Sequence, residues 1–128
     1  PGIDRGQVVG GFIQGMGWVT TEELYYSSTG ELMSHSPTTY KIPNMGDLLA
    51  SGKGSRRDNP KNTVSLKRSK AMGEPPLLLG ISVWTAVKNA LSYASDSEIP
   101  KLALPATGER ILMTLTSFAA IPESVQAK

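Results

Sequence analysis

The stretch SKAMGEPPLLLGISVWTAVKNALSY, Ser69 to Tyr93, decides how this sequence is read. Beyond Pro75 and Pro76, the apolar residues Leu78, Ile81, Val83, Trp84, Val87, Ala90 and Leu91 recur at helical spacings, which predicts a helix from Leu77 to Tyr93. Proline has no N–H to donate and a φ already near the helical value, so the pair suits a first helical turn better than an interior. Directly before them stands Glu74, preceded by Gly73. The glycine lets the chain come close to a neighbour, the prolines fix the backbone that follows, and Leu77 to Leu79 make the surroundings apolar. Desolvation disfavours the charged form of a carboxylate, which is what a general base working near neutral pH needs. On these residues alone a plainer role carries more weight, that of a carboxylate complementing the dipole at a helix start.

Upstream, in DRGQVVGGFIQGMG, the residues Val8, Val9, Phe12, Ile13 and Met16 also recur every three or four positions and predict a helix from Asp4 to about Met16. Its glycines, Gly6, Gly10, Gly11, Gly15 and Gly17, each cost roughly 1 kcal/mol relative to alanine in a helix interior. Close approach of another backbone or of a bulky ligand would compensate, which marks this as a packing or cofactor-facing helix. The glycines do not form a dinucleotide fingerprint, because Gly15 and Gly17 close a helical period instead of opening one after a strand. GKGS, Gly52 to Ser55, lacks the leading glycine and following apolar helix of a phosphate loop.

Between these helices, Leu24 to Tyr26 and Glu31 to Met33 flank Ser-Ser-Thr-Gly and predict a hairpin. Pro37 and Pro43 bracket TTYKI as an extended segment, residues 44–62 read as a loop, and Thr63 to Leu66 as a short strand. A last helix is expected after Pro105, with Thr107 as N-cap and Glu109 in its first turn, followed by a frayed tail from Ile121. The expected fold is α+β: a small helix-rich domain with a short antiparallel hairpin or sheet, residues 1–128 forming one domain.

Composition narrows the chemistry. No cysteine is present, which removes disulfides, thiolate metal sites and iron–sulfur ligation within the chain. His35 is the sole histidine, so a histidine-rich metal site cannot be assembled and no metal ligand is assigned. No serine sits in a G-x-S-x-G context. A net charge of +2 is too small to argue for nucleic acid. Lys53, Arg56, Arg57, Lys61, Lys67, Arg68 and Lys70 do cluster, but without aromatic residues for base stacking they read as a solvated loop or an anionic-partner surface. No stretch reaches the roughly 20 apolar residues that span a bilayer, and the chain is expected to be soluble. PGID opens without methionine or a signal-peptide pattern, as expected of a chain that begins mid-sequence.

Taken as a set, GQVVGGFIQGMGWVTTEEL, SPTTYKIP and SKAMGEPPLLLG resemble, in order and at close to the same spacing, the C-terminal part of the molybdopterin-binding large subunit of xanthine dehydrogenases, within the molybdenum hydroxylases that include aldehyde oxidases. LALPATGERIL continues the resemblance more weakly. The resemblance implies the C-terminal part of a molybdenum-cofactor-binding domain in a cytoplasmic enzyme. It implies purine hydroxylation, hypoxanthine or xanthine to urate, with oxygen from water and electrons leaving through iron–sulfur clusters and FAD on other domains or subunits. Glu74 matches the family's active-site base. Gln7 matches a glutamine that contacts the molybdenum cofactor, where an amide both donates and accepts without adding charge; Gly6 and Gly73 follow as small neighbours. From the residues alone, Gln7 is also readable as an exposed polar residue near a helix start.

TYKIP and TTEEL favour the xanthine dehydrogenase branch. The segment from Gly46 to Asn59 departs from the family, reading GDLLASGKGSRRDN where an alternating apolar strand is usual. The expected partners are the remainder of the molybdenum subunit, the iron–sulfur and FAD parts and a purine, with no nucleic acid and no membrane; the chain alone is expected to bind no cofactor. The alternative is a non-catalytic interaction domain whose basic loop, Lys53 to Lys70, contacts an anionic partner. Where Glu74 points relative to Gln7 separates the two.

Overall fold

A computed structural model describes residues 2–47, 60–95 and 99–119. Four α-helices build the described part: α1 (Gly2–Thr20), α2 (Glu74–Leu78), α3 (Ile81–Ser92) and α4 (Gly108–Ala119). Short 3-10 turns lie at Met45–Asp47 and Leu66–Arg68. None of the described helices is long and apolar enough to cross a membrane.

α1 packs chiefly on α2 and secondarily on α3, and glycine decides how closely. A Cβ placed on Gly15 would lie 2.1 Å from the Leu77 carbonyl oxygen, and one on Gly80 would lie 2.3 Å from the Gly15 carbonyl carbon. Neither obstacle is a flexible side-chain end; both are backbone. Gly11 is less tight, its Cβ position falling 3.0 Å from that of Pro76. The helical cost of these glycines is therefore offset by main chain packing directly on main chain, as the sequence suggested for a packing helix.

The single helix expected over Leu77 to Tyr93 is two helices. α2 begins at Glu74 with the prolines in its first turn. At Leu79 and Gly80 the chain tightens: the Gly80 N–H donates to the Leu77 carbonyl at 3.0 Å, and the Ser82 and Val83 N–H groups donate to Leu79 and Gly80, also at 3.0 Å. These i to i−3 bonds are 3-10 geometry, and Gly80, at the break, is the residue pressed against Gly15 of α1. Apolar periodicity continues across the break, so it gave no sign of it.

The α+β expectation is corrected, because the described residues contain no strand or sheet and form a small helical domain. At the expected hairpin there is one isolated antiparallel bridge, Tyr26 to Leu32. Hydroxyl groups divert the ladder. The Tyr25 N–H donates to Ser34 Oγ at 3.0 Å, and Ser27 Oγ accepts from the Glu31 N–H at 3.1 Å, so side chains take donors that a longer ladder would use. Gly30, at φ +84°, supplies the left-handed residue of the turn. Nor is TTYKI extended throughout: Thr39 and Tyr40 donate their N–H groups to the Ser36 carbonyl and close a turn around Pro37. Around the expected strand at Thr63 to Leu66, Asn62 accepts from the Ser65 hydroxyl at 3.2 Å and the chain turns into a 3-10 segment. Much of the expected 44–62 loop, with the departure from the family pattern and the first half of the basic cluster, lies outside the described residues, as does the tail from Ile121.

A small core of Leu91, Leu102 and Ala106 joins α3 to the segment before α4, with Trp84, Val87 and Ile111 packed against it. Polar contacts fasten α4 to the end of α1. The Ala106 N–H donates to the Val19 carbonyl at 2.7 Å. Thr107 Oγ1 accepts from the Arg110 N–H at 3.3 Å, the N-cap bond that Thr107 was expected to make. Arg110 forms an ion pair with Glu23 and donates to the Pro105 carbonyl at 2.9 Å.

Beneath the end of α1, Glu22 is buried and accepts a hydrogen bond from the Tyr40 hydroxyl. A Cβ on Gly17 would lie 2.3 Å from Glu22 Oε1 and 2.5 Å from Pro43, so a bare backbone makes room for this pair. The hydrogen bond to Glu22, then burial, then the carboxylate's charge hold the Tyr40 phenol above its ordinary pKa of 10.0.

Gly15→Ala should lower the unfolding free energy of the chain by about 2–3 kcal/mol in urea titrations, because the added methyl meets backbone that has no room to retreat. Gly10→Ala, whose Cβ would meet no atom within 4 Å, should leave stability unchanged or raise it by up to about 1 kcal/mol. Equal losses at the two positions would contradict the packing account. For Tyr40, a phenol whose pKa is raised by folding stabilises the fold fully below its unfolded value and loses that contribution as pH rises through the folded value. The melting temperature of Tyr40→Phe should therefore lie below that of the parent chain by a constant amount from pH 7 to 9, and the gap should close above about pH 10. A gap that widens in alkali would refute the assignment.

Candidate functional site

The Gly11 and Gly15 contacts fix how the two sides of a concavity face each other. Along α1 the neighbouring chain advances in the same direction. Ser69 Oγ donates to Asp4 Oδ1 at 3.3 Å, the Gly11 Cβ position lies 3.4 Å from the Leu77 nitrogen and 3.7 Å from the Gly73 oxygen, and Gly15 meets Leu77 and Gly80. Glu74 is thus brought level with the middle of α1.

There an open concavity of about 410 Å³ is lined by Gly6, Gln7, Gly10, Gly11, Gln14, Gly73, Glu74 and Leu77. All four residues singled out from the sequence, Glu74, Gln7, Gly6 and Gly73, lie on it. α1 supplies one wall and the start of α2 the other. Four of the eight lining residues are glycine, and at Gly6, Gly10 and Gly73 an added Cβ would meet nothing within 4 Å. Bare backbone at these places leaves space that side chains would fill.

Gln7 and Glu74 are both exposed. The apolar enclosure expected around Glu74 is not formed by the described residues: Leu77 is half-buried, while Leu78 and Leu79 are 62% and 58% exposed. Of the other lining residues, Gly10 and Gly11 entered the sequence reading only as glycines of a packing or cofactor-facing helix and Leu77 only as an apolar neighbour of Glu74, while Gln14 was missed. Gln14 was recoverable, because Gly10, Gly11 and Gln14 stand three, four and seven positions after Gln7 and so share its helical face.

The arrangement offers one carboxylate able to accept a proton, two neutral amides able to donate and accept, and a floor of backbone. It would admit a flat group with polar edges. Among the described residues no group of three or more His, Cys, Asp or Glu is placed to hold a metal. His35, the lone histidine, is exposed elsewhere, with Nδ1 2.8 Å from the Leu32 carbonyl oxygen.

Comparison with known proteins reports on the same regions. Residues 1–49 match the family model of the molybdopterin cofactor-binding domain, a match that includes the α1 wall of the concavity and stops short of Glu74. Over 118 residues the chain is 41% identical to xanthine dehydrogenase/oxidase of Felis catus, over 115 residues 44% identical to that of Gallus gallus, and over 119 residues 42% identical to xanthine dehydrogenase of Blastobotrys adeninivorans. Each alignment covers 87% of this chain but only 8–9% of the relative, so the chain spans under a tenth of the length of these relatives. Similarity of this level across nearly the whole chain, joined to the domain match at its start, assigns it to the molybdopterin-binding region of the xanthine dehydrogenase family.

Proposed function

We propose that this chain forms part of the wall of a molybdenum hydroxylase site that oxidises purines, hypoxanthine or xanthine to urate, with Glu74 as the general base. The observation that carries the reading is the convergence of Gln7 and Glu74, far apart in sequence, on one glycine-floored concavity. The residues present fit the cofactor. Bare backbone at Gly6, Gly10 and Gly73 leaves room for a flat pterin, and the Gln7 amide can pair with its donor and acceptor edges without adding charge. The molybdenum cofactor, when bound, would supply the metal and the redox chemistry.

The work of this chain is then positional and acid–base. Gln7 orients the cofactor, and Gly6 and Gly73 let it approach the backbone. Glu74 would accept the proton of a water-derived hydroxyl, while the cofactor would supply the two-electron oxidation by which that oxygen replaces the hydrogen on an electron-poor carbon beside a ring nitrogen. Gly73 and the two prolines hold that carboxylate at a fixed point on the rim, which is what a base needs to meet the same proton in each turnover. The remaining walls, and the iron–sulfur and FAD groups that carry electrons away, belong in this reading to the rest of a larger cytoplasmic enzyme.

In the full-length enzyme that contains this chain, Glu74→Ala should reduce purine hydroxylation by at least about 10²-fold while leaving molybdenum content intact. Normal turnover in that variant would defeat the base assignment. The chain on its own, with one open wall, should carry no stoichiometric molybdenum and turn over no xanthine. Metal analysis and a xanthine assay on the purified chain test this, and a molybdenum-loaded isolated chain would overturn the shared-wall reading.

A further inference from the structure

Gln14 lines the concavity, is exposed, and was not singled out by any motif. It stands two helical turns beyond Gln7 on the same face of α1, which separates the two residues by about 10 Å along the helix axis. Between them Gly10 and Gly11 present bare backbone to the concavity. On the facing wall, Gly11 is level with Gly73 and the Leu77 nitrogen, so the start of α2, where Glu74 stands, is opposite the middle of this track. Glu74 therefore lies between the levels of two amides.

We propose that Gln14 is the substrate-side hydrogen-bonding residue of this site, recognising the polar edge of a nitrogen heterocycle held against Leu77. The inference rests on the functional reading above, which gives the Gln7 end to the cofactor. A carbon within reach of Glu74 then extends the rest of its ring toward Gln14. At that end the wall offers two kinds of group: Leu77, an apolar surface for the face of a flat ring, and the Gln14 amide, a donor and an acceptor for its edge. The ring N–H and C=O groups of an oxidised purine present the matching pattern. A site that pairs with such groups discriminates against analogues lacking them, because the amide would then be left without its partner.

The test uses the full-length enzyme with Gln14→Ala. The expected result is a rise of about tenfold in KM for xanthine and a matching weakening of urate binding, measured by calorimetry on the oxidised enzyme, with kcat and molybdenum content unchanged. Unchanged KM and urate affinity in a molybdenum-replete variant would overturn the proposal. A loss of molybdenum would overturn it too, by assigning Gln14 to the cofactor. Glu74→Gln assayed in parallel separates the two claims. If that variant is inactive and Gln14→Ala behaves as the parent, the substrate-side role alone fails; if Glu74→Gln turns over normally, the functional reading beneath it fails.

Discussion

The contact on which the rest of this structure depends is the approach of the α1 backbone to the backbone at the α2–α3 break. Gly15 and Gly80 meet at distances that exclude a methyl group on either. Hydrophobic burial is the usual organiser of a small domain, but among the described residues the buried hydrophobic side chains are few: Val19, Leu91, Leu102 and Ala106. The glycine crossing brings α1 against the proline-led start of α2. It also sets the gap across which Gln7 and Gln14 face the rim carrying Glu74. One contact of main chain on main chain thus determines both how the helices stack and how wide the candidate site is.

A second consequence is the division between a tightly determined interior seam and a loosely covered exterior. Glycines in the seam allow no addition, whereas Gly6, Gly10 and Gly73 face open space. On the outer side, Leu78 and Ile81 remain more than half exposed although they sit in the apolar pattern that predicted the helix. That pattern is wider than the contacts within the described residues can bury. Trp84, Val87 and Leu91 reach the small core, while the described residues leave Leu78 and Ile81 largely exposed.

What was legible in the sequence divides along the same physical line. The existence of α1 was readable from the three-and-four spacing of Val8, Phe12 and Met16, and the start of α4 from Pro105 and the residue type and place of Thr107. Local signals sufficed because the interactions are local. The break at Gly80 was not readable, since the apolar periodicity runs across it and the close approach to Gly15 is a long-range contact. The hairpin was misread as regular strand because apolar alternation does not show that Ser27 and Ser34 will capture the N–H groups of a ladder. At the candidate site, Glu74 stood out through its resemblance and its prolines, and Gln7 through resemblance alone. Gln14 belonged to no recognised block role, yet its spacing from Gln7 placed it on the same face.

The Gly15 and Gly80 pair also bears on how such a site can change over generations. Neither residue can grow to compensate for a change in the other, because each is blocked by main chain that any sequence would retain. Helix spacing is thereby closed to gradual drift, while the residues on the rim remain open to exchange. A lineage built on this seam would acquire new ligand preferences by replacing side chains such as those at Gln14 and Leu77, and not by widening or narrowing the cleft itself.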